Sequence, residues 1–154
     1  MVKYLIDTSA LMKRYKVEKG SEKIKELFEE SENEKIIISI VIVEILHNFY
    51  RLHREGEITE IELQKLTSTF YNDINKEIIK VYDVRKVHAL KSKPFIKKAQ
   101  SMKVIKRRTG PVDTLIIACA LDFKDLNLIF VSSDLDLNQP AKQENIQVLN
   151  PEEK

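Results

Sequence analysis

The sequence is poor in residues that crosslink, bend or anchor a chain. It has one cysteine, Cys119, with three glycines, four prolines and no tryptophan among 154 residues. A single cysteine excludes an internal disulfide and a zinc site built on cysteine pairs. No apolar run approaches the roughly 18 residues of a transmembrane helix, so we expect no membrane span. The first apolar run is also shorter than that of a signal peptide, so we expect a cytoplasmic protein.

Neither sign of charge dominates the chain. Its 26 basic and 24 acidic residues give a net charge of +2, which excludes an acidic tail protein and a uniformly basic nucleic-acid coat. Apolar residues make up 43% and charged residues 32%, which is typical of a globular rather than a disordered chain. A chain of this length predicts a single domain over residues 1–154.

Short β-branched apolar runs alternate with longer amphipathic segments. The runs predict strands at 2–6, 36–38, 78–82, 128–131 and 146–149. Helical spacing of apolar residues predicts helices at 8–17, 21–30, 39–50, 58–75, 84–105 and 111–121. Pro94 should break or kink the fifth helix, and the third is apolar enough to be largely buried. Strands separated by helices predict an α/β fold with a five-stranded parallel sheet and helices on both faces.

Four acidic residues occupy positions where such a fold binds ligands. In open α/β sheets, ligands bind beyond the carboxyl ends of the strands. Asp7 follows the first strand directly, and Asp134 comes three residues after the fourth. Asp113 lies in the first turn of the last predicted helix, and Glu44 is a single charge within the long apolar third helix. We therefore predict that the four carboxylates converge on one cation-sized space.

Each acid also has an ordinary structural interpretation. Asp7 could cap a helix, Asp113 could serve only the helix dipole, and Asp134 could be a turn residue. Asp136 competes for any role given to Asp134. Glu44 could belong to a polar stripe that faces water, together with His47, Asn48 and Arg51.

Carboxylates that lie close together repel one another unless their charge is neutralised. Two unit charges about 4 Å apart repel by about 4 kcal/mol at an effective dielectric of about 20. Either some carboxyls keep their protons or a hard cation neutralises the set. Oxygen donors without a Cys or His cluster favour Mg²⁺ or Mn²⁺ over zinc or copper. Such a cation can polarise a phosphoryl oxygen and supply a nucleophilic water.

The order of these segments resembles that of PIN domains, in particular the VapC-type toxins of prokaryotic toxin–antitoxin pairs. The similar segments are Tyr4–Leu11, Ser39–Leu46, Asp113–Leu121 and Ile129–Leu137. The resemblance implies a PIN fold and Mg²⁺- or Mn²⁺-dependent endoribonuclease activity. It also implies a small antitoxin as partner and a homodimer, for which the apolar helices at 40–50 and 58–70 could supply the surface.

The resemblance assigns roles position by position. It makes Asp7, Glu44, Asp113 and Asp134 the catalytic and metal-binding acids. Ser9 and Ser132 match positions where the family often has a small hydroxyl residue, and they are candidate substrate-binding residues.

Residues 85–108 form a basic segment with ten Lys and Arg and no Asp or Glu. The usual role of a charge run is a solvated helix face, but such faces normally carry both signs. We expect the segment to contact RNA phosphates, and His88 and Phe95 could stack on bases. The candidate substrate-binding residues are Lys97, Lys98, Lys103, Lys106, Arg107 and Arg108.

Other functions remain open from the sequence. Many VapC chains are shorter and lack this segment, so the chain could be a PIN nuclease that processes RNA without an antitoxin. A phosphotransferase or phosphatase would use Asp7 as nucleophile, but it would also need a second acid at the position of Ser9. A non-catalytic nucleic-acid-binding module would use the basic segment alone.

Overall fold

A parallel five-stranded sheet forms the centre of the computed structural model, which describes residues 1–101 and 110–153, with backbone only for 98–101. The strands are β1 (Lys3–Ile6), β2 (Glu34–Ile38), β3 (Lys80–Tyr82), β4 (Leu128–Val131) and β5 (Gln147–Leu149). Their order is β3-β2-β1-β4-β5, and every neighbouring pair is parallel. The predicted α/β fold and its five strands are confirmed.

Helices connect these strands. They are α1 (Thr8–Tyr15), α2 (Ser21–Glu29), α3 (Ser39–Arg54), α4 (Glu60–Asn75), α5 (Lys86–Lys91), α6 (Lys93–Ser101), α7 (Pro111–Ala120) and α8 (Leu135–Gln143). The helix predicted at 84–105 is divided at Ser92, and Pro94 lies in the first turn of α6, where a missing N–H is tolerated. Residues 102–105 of that prediction lie outside the described residues. No helix within the described ranges is long and apolar enough to cross a membrane.

The sequence pattern does not predict α8. This helix is short and mostly polar, and it contains Pro140, which normally indicates a break. It forms because Asp134 caps it, accepting a hydrogen bond from the backbone N of Asp136 at 2.9 Å. Leu137 and Ala141, four residues apart, are buried against the core. Asp134 is therefore a helix cap and not a simple turn residue.

The prediction that the third helix is largely buried is wrong. Only one face of α3 is buried, because a helix at the surface of a domain buries a single apolar stripe. That stripe consists of Val41, Ile45, Phe49 and Leu52. On the opposite face Val43 and Tyr50 are 63% and 60% exposed. Because most residues of the segment are apolar, the sequence does not show which face of the helix is exposed.

The carboxyl ends of β1 and β4 meet at one edge of the sheet. Ile6 pairs with Val131 in register, and the backbone N of Asp7 donates to the carbonyl of Val131 at 3.0 Å. On one side of β1 lie β2 and β3, and on its other side lie β4 and β5. This reversal opens a crevice beyond the strand ends, which is where open α/β folds bind ligands.

Candidate active site

A cleft of about 440 Å³ opens at this edge of the sheet. Its walls come from α1, α3, α7, the beginning of α8 and the C-terminal Glu152. All four predicted acids line it: Asp7, Glu44, Asp113 and Asp134. The structure therefore brings together, in one cleft, four carboxylates from distant parts of the sequence.

Asp7 lies at the bottom of the cleft and is 5% exposed. It caps α1, since its Oδ1 accepts from the backbone N of Ala10 at 2.9 Å. The hydroxyls of Ser9 and Ser132 donate to it at 2.9 Å and 2.8 Å. Burial raises the pKa of Asp7 to about 7, although these hydrogen bonds oppose the rise. The capping role is real, but a cap alone does not require a carboxylate buried so deeply.

The other three acids have separate donors. Glu44 accepts a hydrogen bond from the Thr8 hydroxyl. Asp113 Oδ2 accepts from the backbone N of Gly110 at 2.6 Å, and Asp134 caps α8. In residues 1–101 and 110–153, no three acidic, His or Cys side chains lie close enough together to hold a metal ion. A shared cleft is observed, and convergence on one cation-sized space stays a prediction.

Ser132 does not have the substrate-binding role expected of it. It is completely buried, so RNA cannot reach it. Its hydroxyl donates to Asp7 and accepts from the backbone N of Asp134 at 3.0 Å. Ser9 is partly exposed in the cleft and accepts from the backbone N of Ser133 at 3.0 Å. Both serines orient Asp7 and tie the end of β4 to the beginning of α1.

The donor set fits a hard divalent cation. Among the described residues that line the cleft, the side-chain donors nearest the sheet edge are carboxylates and hydroxyls, with no thiol or imidazole. Mg²⁺ and Mn²⁺ prefer such oxygen ligands, whereas zinc favours sulfur and nitrogen. A cation would also stabilise the ionised form of Asp7, which burial disfavours. Asp7, Glu44, Asp113 and Asp134 are thus the residues that could hold it.

This cleft also has a basic side, which the sequence pattern does not predict. It is also lined by Lys13 of α1, by Lys16 directly after α1 and by Arg51 of α3. Lys13 is 5% exposed, and its Nζ lies 2.9 Å from Glu18 Oε1 and 2.7 Å from Glu152 Oε1. The sequence offers no signal for Lys13 and Lys16, which follow Asp7 by six and nine residues, whereas Arg51 follows Glu44 by seven residues, a spacing that puts both on one face of α3.

The polar stripe on α3 faces the cleft and not only water. Glu44, Asn48 and Arg51 line the cleft, whereas His47 is exposed and does not. Asn48 Nδ2 donates to the carbonyl of Glu44 at 2.9 Å. The stripe therefore combines an acid with a cation seven residues further along the helix.

The basic segment is anchored by Asp122, which follows α7. Arg85, His88 and Lys91 contact its carboxylate at 2.9–3.0 Å, and the Tyr82 hydroxyl donates to it at 2.6 Å. Burial alone would raise the pKa of Asp122, but hydrogen bonds from Tyr82, His88 and Lys91 hold it well below its usual range. Two of the ten basic charges of the segment are thus engaged by an acid distant in sequence.

The structure contradicts the idea that His88 and Phe95 stack on bases. His88 is completely buried and Phe95 is 6% exposed. The imidazole of His88 accepts from the backbone N of Arg85 through Nδ1 and contacts Asp122 through Nε2. Lys97 is exposed on α6. The side chain of Lys98 lies outside the described residues, as do Lys103, Lys106, Arg107 and Arg108.

Comparison with known families identifies the fold. Residues 4–143 match the family model described as PIN domain, which is most of the chain. The chain belongs to the PIN domain family. PIN domains are nucleases, and the acids found at the sheet edge lie within the matched region.

Solved structures share this PIN fold at low sequence identity. A DNA-bound VapBC from Salmonella typhimurium matches with a TM-score of 0.64 and 15% identity, covering 98% of this chain and 99% of that one. FitAcB from Neisseria gonorrhoeae matches with a TM-score of 0.66 and 14% identity over 96% and 97%. A toxin–antitoxin complex from Klebsiella pneumoniae matches with 0.61 and 14% over 98% and 99%. No curated protein sequence matches significantly.

Proposed function

We propose that this PIN protein is a metal-dependent endoribonuclease that acts as the toxin of a toxin–antitoxin pair. The observation that carries the proposal is the meeting of Asp7, Glu44, Asp113 and Asp134 in one cleft at the carboxyl edge of the sheet. Membership of a nuclease family supports phosphodiester hydrolysis. The similarity to VapBC and to a toxin–antitoxin complex over nearly the whole chain supports a small antitoxin as partner.

The cleft residues have distinct tasks in this proposal. A bound Mg²⁺ or Mn²⁺ supplies Lewis-acid polarisation of a phosphoryl oxygen and an activated water. Ser9 and Ser132 fix the orientation of the Asp7 carboxylate through their hydrogen bonds. Asp113 lies in the first turn of α7, where the helix dipole favours its ionised form.

The alternatives explain less of the structure. A phosphotransferase with Asp7 as nucleophile would need a second acid two residues further on, where the chain has Ser9. A non-catalytic module would leave the four-acid cleft without a role. An RNA-processing PIN nuclease without an antitoxin would use the same site and would differ only in its partner.

A homodimer would cover apolar side chains that are exposed in the single chain. Val43 and Tyr50 on α3 and Ile61 on α4 are 63%, 60% and 79% exposed. This surface supports the dimer implied by the family resemblance. Sedimentation of the purified chain decides the point, because a monomer at micromolar concentration would argue against it.

Asp113→Asn is expected to abolish RNA cleavage while RNA binding without metal is kept or improved. The amide oxygen can still accept from the backbone N of Gly110, so the beginning of α7 survives. One negative charge facing the substrate is lost, together with one metal ligand. The measurement is cleavage of a labelled RNA with Mg²⁺ or Mn²⁺, beside RNA affinity in EDTA.

Asp125→Asn is the matched control for that variant. Asp125 is exposed and does not line the cleft, so the charge change is the same but cleavage should be unaffected. Equal cleavage by Asp113→Asn and the parent would remove Asp113 from the site.

The basic segment is proposed to hold the RNA backbone. If Lys97 and Lys98 each contact a phosphate, Lys97→Ala with Lys98→Ala should make the slope of log affinity against log salt shallower by about 1.4 for single strands or 1.8 for duplex. Cleavage at saturating RNA should change little, because the acids are untouched. An unchanged slope would show that these lysines are a solvated surface.

A further inference from the structure

The cleft has a basic end that the proposed chemistry does not use. Lys16, at the C-terminal end of α1, and Arg51 on α3 line the same cleft as the acids. An α-helix rises by about 1.5 Å per residue, which puts Lys16 about 13 Å along α1 from Asp7 and Arg51 about 10 Å along α3 from Glu44. Two helices thus carry acids at one end of the cleft and cations towards the other.

Both cations are held from outside the cleft by glutamates. Lys16 pairs with Glu57, and Arg51 Nη1 lies 3.0 Å from Glu55 Oε2. Neither glutamate lines the cleft. The four side chains are 40–45% exposed, and ion pairs this exposed contribute little to stability. A phosphate could therefore replace a glutamate without a large cost to the fold.

Arg51 is also oriented from within its own helix. Its Nη2 donates to Asn48 Oδ1 at 3.3 Å, and Asn48 in turn donates to the carbonyl of Glu44. This chain of contacts links the guanidinium to the turn that carries a proposed metal ligand. Arginine is suited to phosphate because its planar fork can make two parallel hydrogen bonds.

Lys13 also lines the cleft, but its ammonium is less free to bind a ligand. Its ammonium bridges Glu18 and Glu152, and only 4% of its side chain is exposed. We therefore treat Lys13 as a fixed part of the cleft wall. The cations that can exchange a glutamate for a ligand are Lys16 and Arg51.

We propose that Lys16 and Arg51 form a phosphate subsite that binds the RNA strand at a nucleotide near the cleavage point. The inference rests on the proposed ribonuclease function and adds to it. The scissile phosphate must lie at the acids, so cations about 10 to 13 Å further along the two helices hold another phosphate of the same strand. The subsite consists of residues outside the basic segment 85–108, and it directs the strand along the cleft between α1 and α3.

The test compares two double variants that each remove two positive charges. Lys16→Met with Arg51→Met removes the subsite. Lys25→Met with Arg54→Met is the control, because Lys25 is exposed on α2 and Arg54 is 73% exposed on α3, and neither lines the cleft. Affinity for a short fluorescent single-stranded RNA is measured over a salt series in EDTA, and cleavage is measured with Mn²⁺.

The subsite variant should lower the salt slope by about 1.4, following roughly 0.7 per phosphate contact on single strands, and the control should leave the slope unchanged. In cleavage, KM should rise with kcat nearly unchanged, because the acids remain. Lys16→Met alone should give about half of the change in slope, which keeps the test usable if the double variant does not fold.

Several outcomes would overturn the subsite. An unchanged slope for Lys16→Met with Arg51→Met would exclude phosphate contacts, and equal changes in both double variants would indicate only a general field effect. A loss of binding to a protein partner with RNA binding intact would assign the surface to that partner instead. If the parent binds RNA but never cleaves it, the proposed nuclease function fails while the slopes still decide the subsite.

Discussion

Asp7→Asn is expected to reduce RNA cleavage by about 100-fold or more while the protein stays folded. The substitution removes one charge from the cleft and one anionic metal ligand. Metal coordination contributes several kcal/mol to stabilising the transition state, and each 1.4 kcal/mol is about tenfold in rate. The measurement is the cleavage rate of a labelled RNA with saturating Mn²⁺ for the parent and the variant.

The fold should survive because asparagine keeps the hydrogen bond that caps α1. Its amide oxygen can still accept from the backbone N of Ala10, and asparagine is a favourable helix cap. Burial raises the pKa of Asp7 to about 7, well above that of an unfolded aspartate near about 3.9. Without metal, the parent therefore loses stability as pH rises from about 4 through 7, whereas asparagine does not ionise.

Thermal melting in EDTA at pH 7 checks this physical basis. Asp7→Asn should melt at the same temperature as the parent or higher. A variant that melts normally and cleaves RNA as fast as the parent would reduce Asp7 to a helix cap. A variant that unfolds would require the milder comparison with Asp113→Asn, whose side chain is only partly buried.

The sheet could be predicted from the sequence because its strands are short, apolar and β-branched. The β-branched run Ile36–Ile38 indicates a buried strand, and alternation with helices predicts that it runs parallel to its neighbours, as it does to β1 and β3. The place of the acids was also predictable, because strand ends in a parallel sheet share one edge. Asp7 and Asp134 both follow predicted strands, so the position of the cleft could be predicted from the sequence alone.

Other features depend on tertiary contacts that no local pattern encodes. The hydrophobic signal of α8 is too weak to outweigh Pro140, and the helix exists because Leu137 reaches the core. The cluster around Asp122 joins residues more than 30 positions apart in sequence. The basic segment contains no acid in the sequence, but in the fold Asp122, which follows α7, forms ion pairs with its first residues.

The basic end of the cleft was missed for a related reason. In the sequence, Lys16 and Arg51 look like ordinary surface cations. Which face of α1 and α3 turns to the cleft is set by packing of the opposite faces, through residues such as Leu11 and Ile45. Periodicity shows which residues share a face of a helix, but it does not show what that face packs against.

Metal removal and restoration is the second large effect expected and the most direct test of a metal-dependent ribonuclease site. EDTA should abolish cleavage of single-stranded RNA by the parent, and excess Mn²⁺ or Mg²⁺ should restore it. RNA binding should persist in EDTA, because lysine and arginine contacts to phosphate do not need the metal. Asp7→Asn prepared in parallel is the control, since a contaminating metal-independent ribonuclease would cleave in both preparations.

The deciding quantity is the cleavage rate of the parent in EDTA relative to the rate after Mn²⁺ is restored. We predict loss to the background level of Asp7→Asn in EDTA and full recovery with Mn²⁺. Cleavage that continues unchanged in EDTA, above the level of Asp7→Asn, would contradict a metal-dependent site formed by Asp7, Glu44, Asp113 and Asp134.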